Sequence, residues 1–235
     1  MAAGNLITYA IGDVHGCLDK MLRLLELCDR HRGARPARYV FLGDYVDRGP
    51  DSCDTVAMLI ELQRGKPDDV ICLCGNHEVM MLNAIISNGQ DRLMWLAQGG
   101  SETLDSYGVE STDELPVGHY NWIGALPLWF DDGLRFFVHA GVNPAVELSR
   151  QVAEDLLWIR EPFLSSEQDH GRLVVHGHTR LRGAVPDFRA NRLNLDTGAV
   201  YGGPLTAAVF DNDQAGPIAF LNDLGVETAP TVFRR

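Results

Sequence analysis

The chain has 235 residues and a mass of 25.9 kDa, ample length for a sizeable core within one domain. Hydrophobic residues make up 46% and charged residues 22%, a mixture that excludes a disordered chain. Acids outnumber bases by 32 to 20, and a formal charge of -12 argues against a generic nucleic-acid binder, whose phosphate contacts need Lys and Arg.

The first strand predicted is Leu6 to Ile11, ending in Gly12-Asp13-Val14-His15-Gly16. Its apolar run is short and lacks a basic flank after Met1-Ala2-Ala3-Gly4-Asn5, so it does not read as a signal peptide. No run of 18 apolar residues occurs anywhere, so no membrane span or membrane partner is expected. The expected location is cytoplasmic, and the odd set Cys17, Cys28, Cys53, Cys72 and Cys74 reads as reduced thiols.

A helix is predicted over Asp19 to Asp29, with Met21, Leu24, Leu25 and Cys28 on one face. The second strand, Tyr39 to Leu42, ends in Gly43-Asp44-Tyr45-Val46-Asp47-Arg48-Gly49 and feeds a helix that starts near Pro50. The third strand, Val70 to Cys74, ends in Gly75-Asn76-His77-Glu78 and leads to a helix from Val79 to Ser87. Residues 90–125 read as a small helical accessory segment within one domain spanning 1–235. Strands follow at Phe136 to Val138, Leu173 to Val175, Leu193 to Leu195, Leu205 to Phe210 and Ile218 to Leu221. An α/β front half and a more antiparallel back half are expected, as two sheets packed face to face with helices outside.

Asp13, Asp44 and Asn76 are spaced 31 and 32 residues apart, the length of one strand–helix–strand unit. Three polar residues therefore arrive at the same end of three parallel strands, where ligands bind in open α/β sheets. His15, His77, His139, His176 and His178 also sit in turns after strands, beside glycines. A single Gly-Asp turn would be an ordinary helix cap. Gly-Asp twice, Gly-Asn-His, His139-Ala-Gly and Gly177-His-Thr together form a set of carboxylate, imidazole and amide donors without thiolate. Such a set suits Mn, Fe or Zn, and two ions could share a bridging Asp.

These motifs, in this order over residues 12–179, resemble the phosphoprotein phosphatase branch of the calcineurin-like metallophosphoesterases. The resemblance implies an α/β fold, a four-layer α/β/β/α sandwich of two mixed sheets. It implies two divalent cations, Mn2+ first and Fe or Zn as alternatives. One would be held by Asp13, His15 and the bridging Asp44, the other by Asp44, Asn76, His139 and His178. His77 would be the general acid, oriented by Asp47, and Arg48 and Arg160 would grip the phosphate. Hydrolysis would be direct attack by a metal-activated water, with no phospho-enzyme.

Position 180 is Arg, where many metallophosphoesterases that cleave nucleotides or phosphodiesters carry a further His, and this fits the phosphoprotein phosphatase branch. Within the branch the short bacterial and phage serine/threonine phosphatases are the nearer match, through Gln98-Gly-Gly-Ser-Glu-Thr103 and Leu195-Asp-Thr-Gly-Ala199. The expected partner is thus a phosphoprotein or a small phosphorylated substrate. Symmetrical diadenosine tetraphosphate hydrolysis is the alternative. A binding-only scaffold would have lost ligands or the acid, and every such position is filled. His176 reads as strand-end packing. His31, His119 and His170 read as solvated, the four tryptophans as core, and Arg180 and Arg182 as surface residues.

Overall fold

The computed structural model describes residues 6–87 and 89–232; Met1 to Asn5, part of the N-terminal reading above, lie outside the described residues. The front of the chain alternates β1 (Ile7–Ile11), α1 (Leu18–Arg32), β2 (Ala37–Phe41), α2 (Ser52–Gly65), β3 (Val70–Cys72) and α3 (Asn76–Ile86). Short helices α4 (Gln90–Trp95), α5 (Ser101–Tyr107) and α6 (Val117–Gly124) follow. Strands β4 (Trp129–Asp131) and β5 (Arg135–Val138), helix α7 (Ala153–Trp158) and strands β6 (Leu173–His176), β7 (Asp187–Phe188) and β8 (Arg192–Asn194) come next. The last strands are β9 (Thr206–Phe210), β10 (Ala219–Asn222) and β11 (Glu227–Thr228).

Two mixed sheets result. One has the order β11-β10-β9-β1-β2-β3, the other β4-β5-β6-β8-β7. Strands β1, β2 and β3 are parallel, as the 31-residue spacing requires. The expected division into front and back halves is corrected in two ways. β5, β6 and β8 run parallel, with antiparallel strands only at the two edges. The chain then returns to the first sheet, where β9 pairs antiparallel with β1. Strands β4, β7 and β11 were not foreseen; two have only two residues each, too few for alternation to show.

Alternation along the strands builds the layers. Ile7, Tyr9 and Ile11 of β1 and Tyr39 and Phe41 of β2 face the helices, joining Met21 and Leu24 of α1, Val56 and Leu59 of α2 and Met81 of α3. Ala10, Val40, Ala208 and Phe210 face the other way, against Phe137, Val175 and Leu193 of the second sheet. The outer face of that sheet, Phe136, Val138 and Val174, is covered by Leu156 of α7 and by Ile159 and Phe163 after it. This is the four-layer sandwich, with a thin fourth layer.

All five cysteines are free, and among the described residues no helix is long and apolar enough to cross a membrane. Other side-chain expectations need correction. Trp129 is 47% exposed, stacked on Phe136 at the sheet edge and not in the core. His31 and His119 are half-buried and bonded to Tyr9 and Tyr107, not solvated, and His170 is half-buried too. His176 is fully buried against Phe163, as expected of packing.

Candidate metal and phosphate site

The loops after β1, β2, β3, β5 and β6 converge at one end of the sandwich. Asp13, His15, Asp44, Asp47, Asn76, His77, His139 and His178 are all buried there, none above 9% exposure. Among the described residues, six non-glycine residues have positive φ, and five of them are His15, Asp44, Asp47, Arg48 and His178. Each such conformation costs on the order of 1 kcal/mol or more, and the surrounding contacts must hold it. Asn76 and His77 lie within the first turn of α3, not in a turn before it, because the helix starts three residues earlier than expected.

Glu78 does much of the holding. Its carboxylate accepts from the backbone N–H of Gly75, Asp44, Tyr45 and Val46 at 2.9, 2.8, 2.7 and 3.3 Å. It thereby locks the loop after β2 to the start of α3. Burial and the nearby Asp44 charge push its pKa up to about 7, against the pull of those donors. Gly75 is required here, since a Cβ would collide with the Asp44 backbone and carboxylate. A Cβ at Gly177 would likewise strike Asp13, whose carboxylate accepts the His178 backbone N–H at 3.0 Å.

Asp44 sits between two groups of donor atoms, one with His15 and His77, the other with His139 and His178. Its carboxylate is 3.4 Å from both His15 Nε2 and His139 Nε2. Burial opposes its charge, but the imidazoles, His139 first, outweigh that and keep its pKa below the usual range. Asn76 Oδ1 is 2.8 Å from His139 Nε2 and 2.9 Å from His178 Nδ1. Asp13 stands against Asp44 and Asp196, and burial together with those charges raises its pKa. The donor group on the β1 side contains His77, where the sequence reading put Asp13.

His77 Nδ1 lies 2.7 Å from Asp47 Oδ2. The guanidinium of Arg48 can only donate, and it reaches His77 Nε2 and His15 Nε2 at 2.6 Å each. His77 therefore donates through Nδ1 to Asp47. Burial alone would lower the His77 pKa, but Asp44 and Asp47 outweigh it and raise the value.

Asp47 also accepts Trp95 Nε1–H, 3.0 Å from both oxygens, and Thr103 Oγ1–H at 2.7 Å. Both donors come from the accessory segment, and Gly99 O accepts the Arg48 backbone N–H at 3.1 Å. Sequence reasoning missed Trp95, Thr103 and Glu78 as supports. The Gln98-to-Thr103 stretch was a signal for Thr103. Glu78 was signalled as the third residue of a helix after a glycine cap.

Arg160 and Arg180 are exposed at the mouth, with the Tyr201 ring 54% exposed beside them. Arg180 is thus a surface residue that lines the site. Asp196, buried on the same wall, has its pKa raised to about 6, by burial first.

Residues 8–213 match the model of the calcineurin-like phosphoesterases. The chain belongs to that family. It is 32% identical over 212 residues to the serine/threonine-protein phosphatase 1 of Salmonella typhimurium, covering 85% of this chain and 90% of that one. It is 29% identical over 270 residues to the symmetrical bis(5'-nucleosyl)-tetraphosphatase of a Janthinobacterium species, covering 86% and 92%. The structure of a cold-active protein tyrosine phosphatase shares its fold, with a TM-score of 0.68 over 97% of this chain and 80% of that one, at 16% identity.

Calcineurin-like phosphoesterases use divalent metal ions, and the donors here fit such ions. His139 spends Nδ1–H on Leu42 O at 2.9 Å, so its Nε2 is a lone pair in the neutral ring. That lone pair faces Asn76 Oδ1 and Asp44 Oδ1, three acceptors with no proton among them. His15 likewise donates Nδ1–H to Val46 O at 2.8 Å, so its Nε2 is a lone pair, 2.6 Å from the Arg48 donor and 3.4 Å from Asp44. His178 presents Nδ1 to the same Asn76 Oδ1 at 2.9 Å. Burial lowers the pKa of His139 and takes those of His15 and His178 down to about 3, so these imidazoles are neutral, the form that binds metal.

Proposed function

We propose that this phosphoesterase is a phosphomonoester hydrolase acting on phosphoserine and phosphothreonine in proteins. Asp13, His15, Asp44, Asn76, His139 and His178 would hold two divalent ions, with Mn2+ the favoured pair. When bound, the ions would supply an activated water and neutralise charge developing at phosphorus. Arg48 and Arg160 bind the non-bridging phosphate oxygens, with the planar Arg48 fork suited to two of them. Once Arg48 has turned from His77 Nε2 to the phosphate, protonated His77 donates from that atom to the leaving oxygen, and Asp47, anchored by Trp95 and Thr103, holds the ring in the donating orientation.

The observation that carries this reading is the 2.7 Å His77–Asp47 pair, set beside a shared carboxylate and an arginine fork. The protein-substrate part is supported by the 32% identity to the Salmonella phosphatase, over 85% of this chain and 90% of that one. The second reading, symmetrical tetraphosphate hydrolysis, is favoured by the 29% identity to that enzyme.

The test is turnover, with Mn2+, of a phosphothreonine peptide, read as phosphate release, and of diadenosine tetraphosphate, read as ADP formation, at matched concentrations. A higher kcat/KM for the peptide is expected. A higher kcat/KM for the dinucleotide, with ADP as sole product, would replace the protein-phosphatase reading by the second one.

A further inference from the structure

Two lobes of open space meet at Arg48, Arg160 and His178. One is bounded by His77, Met80, Met94, Gln98 and Trp158. The other is bounded by Asp13, His15, Arg180, Asp196 and Tyr201. His77 lines only the first lobe, so the leaving oxygen belongs on that side. Proton donation makes no use of the second lobe, yet that lobe carries a third guanidinium.

That guanidinium is held in place. The Arg180 guanidinium carbon lies 4.2 Å from the Tyr201 ring centroid, and that of Arg48 lies 5.7 Å from the same ring. The Arg180 stem runs over Gly198, where a Cβ would press on it. Lys20 Nζ donates to Ala199 O and Gly203 O at 2.8 and 2.6 Å, which ties down the turn carrying Tyr201. Among the described residues Arg180 forms no ion pair with a carboxylate, so its donors remain free for a ligand. In a chain of net charge -12, this lobe gathers three arginines against two carboxylates, Asp13 and Asp196, a locally positive balance.

We propose that Arg180, seated on Tyr201, is a specificity-determining residue that binds a second anionic group of the substrate, beside the phosphoryl group being transferred. This rests on the protein-phosphatase reading. The second anion is then an acidic or phosphorylated side chain neighbouring the phosphoresidue. A phosphopeptide with acidic neighbours is accordingly a better substrate than one with neutral neighbours.

The experiment compares two phosphothreonine peptides that differ only in Asp or Ala at the flanking positions. It uses the wild-type chain, Arg180→Ala and Arg180→Lys. The expected wild-type preference in kcat/KM for the acidic peptide is about five-fold, the size of one exposed charge pair, and it fades at high salt. Arg180→Ala should bring the ratio close to one, while Arg180→Lys keeps part of it. An equal ratio in the wild type and Arg180→Ala, or no preference in the wild type, overturns the assignment. Diadenosine tetraphosphate and an aryl phosphate form a separate arm. If the tetraphosphate far outruns both peptides, the protein-phosphatase reading fails. A larger Arg180→Ala loss on the tetraphosphate than on the aryl phosphate then keeps the second-anion role, with the polyphosphate chain as the anion. Equal losses on the two overturn it.

Discussion

The floor of the site and its rim are built in opposite ways. On the floor Asp44, Asp47, His77 and His139 are at most 2% exposed, and the left-handed backbone at Asp44 and Asp47 is held by buried hydrogen bonds. On the rim Arg160 and Arg180 are exposed, and Tyr201 and Met94 are 54% and 52% exposed. The difference teaches where chemistry and selection can reside. A floor of dependent contacts tolerates little change, because removing one partner strands another buried group. A rim of solvated side chains can be changed residue by residue at modest cost.

The largest effect is expected from Asp44→Asn, which removes the carboxylate shared by both donor groups. Metal content measured after dialysis should fall, with kcat/KM down by about a thousand-fold. Full retention of two ions per chain would contradict its shared role. His77→Asn comes next, with metal content kept and kcat lowered by about a hundred- to a thousand-fold. Its partner gives a pH test. His77 must be protonated to donate, so activity falls as pH rises through its raised pKa. Asp47→Asn removes a charge that raises that pKa, so the alkaline limb of the kcat profile should move to lower pH. A limb in the same place would detach Asp47 from the acid.

Glu78→Gln sharpens the comparison from the side of stability. The amide keeps one acceptor oxygen but turns its N–H groups toward two of the four backbone donors. Urea unfolding should show a loss of about 2 kcal/mol, larger than for any rim substitution. The smallest effect is expected on the rim. Arg160→Ala should raise KM by about ten-fold, with unfolding unchanged within experimental error. A stability loss matching that of Glu78→Gln would erase the distinction between floor and rim.

Sequence by itself located the floor. Strand ends, glycine turns and 31- and 32-residue spacing are local signals, because a strand–helix–strand unit has a set length and its side chains alternate with period two. That is why Asp13, Asp44 and Asn76 were expected on adjacent parallel strands, and β1, β2 and β3 are parallel neighbours. The fourth layer, the return of β9 to pair with β1, and the parallel centre of the second sheet were decided by packing of distant segments. The supports of His77, the proposed acid, were decided in the same way. Trp95 meets Asp47 across 48 residues and Thr103 meets it across 56. A tryptophan in a helical run reads as core in any sequence. Only the folded chain, in which burial obliges its N–H to find an acceptor, turns it toward the carboxylate that orients His77.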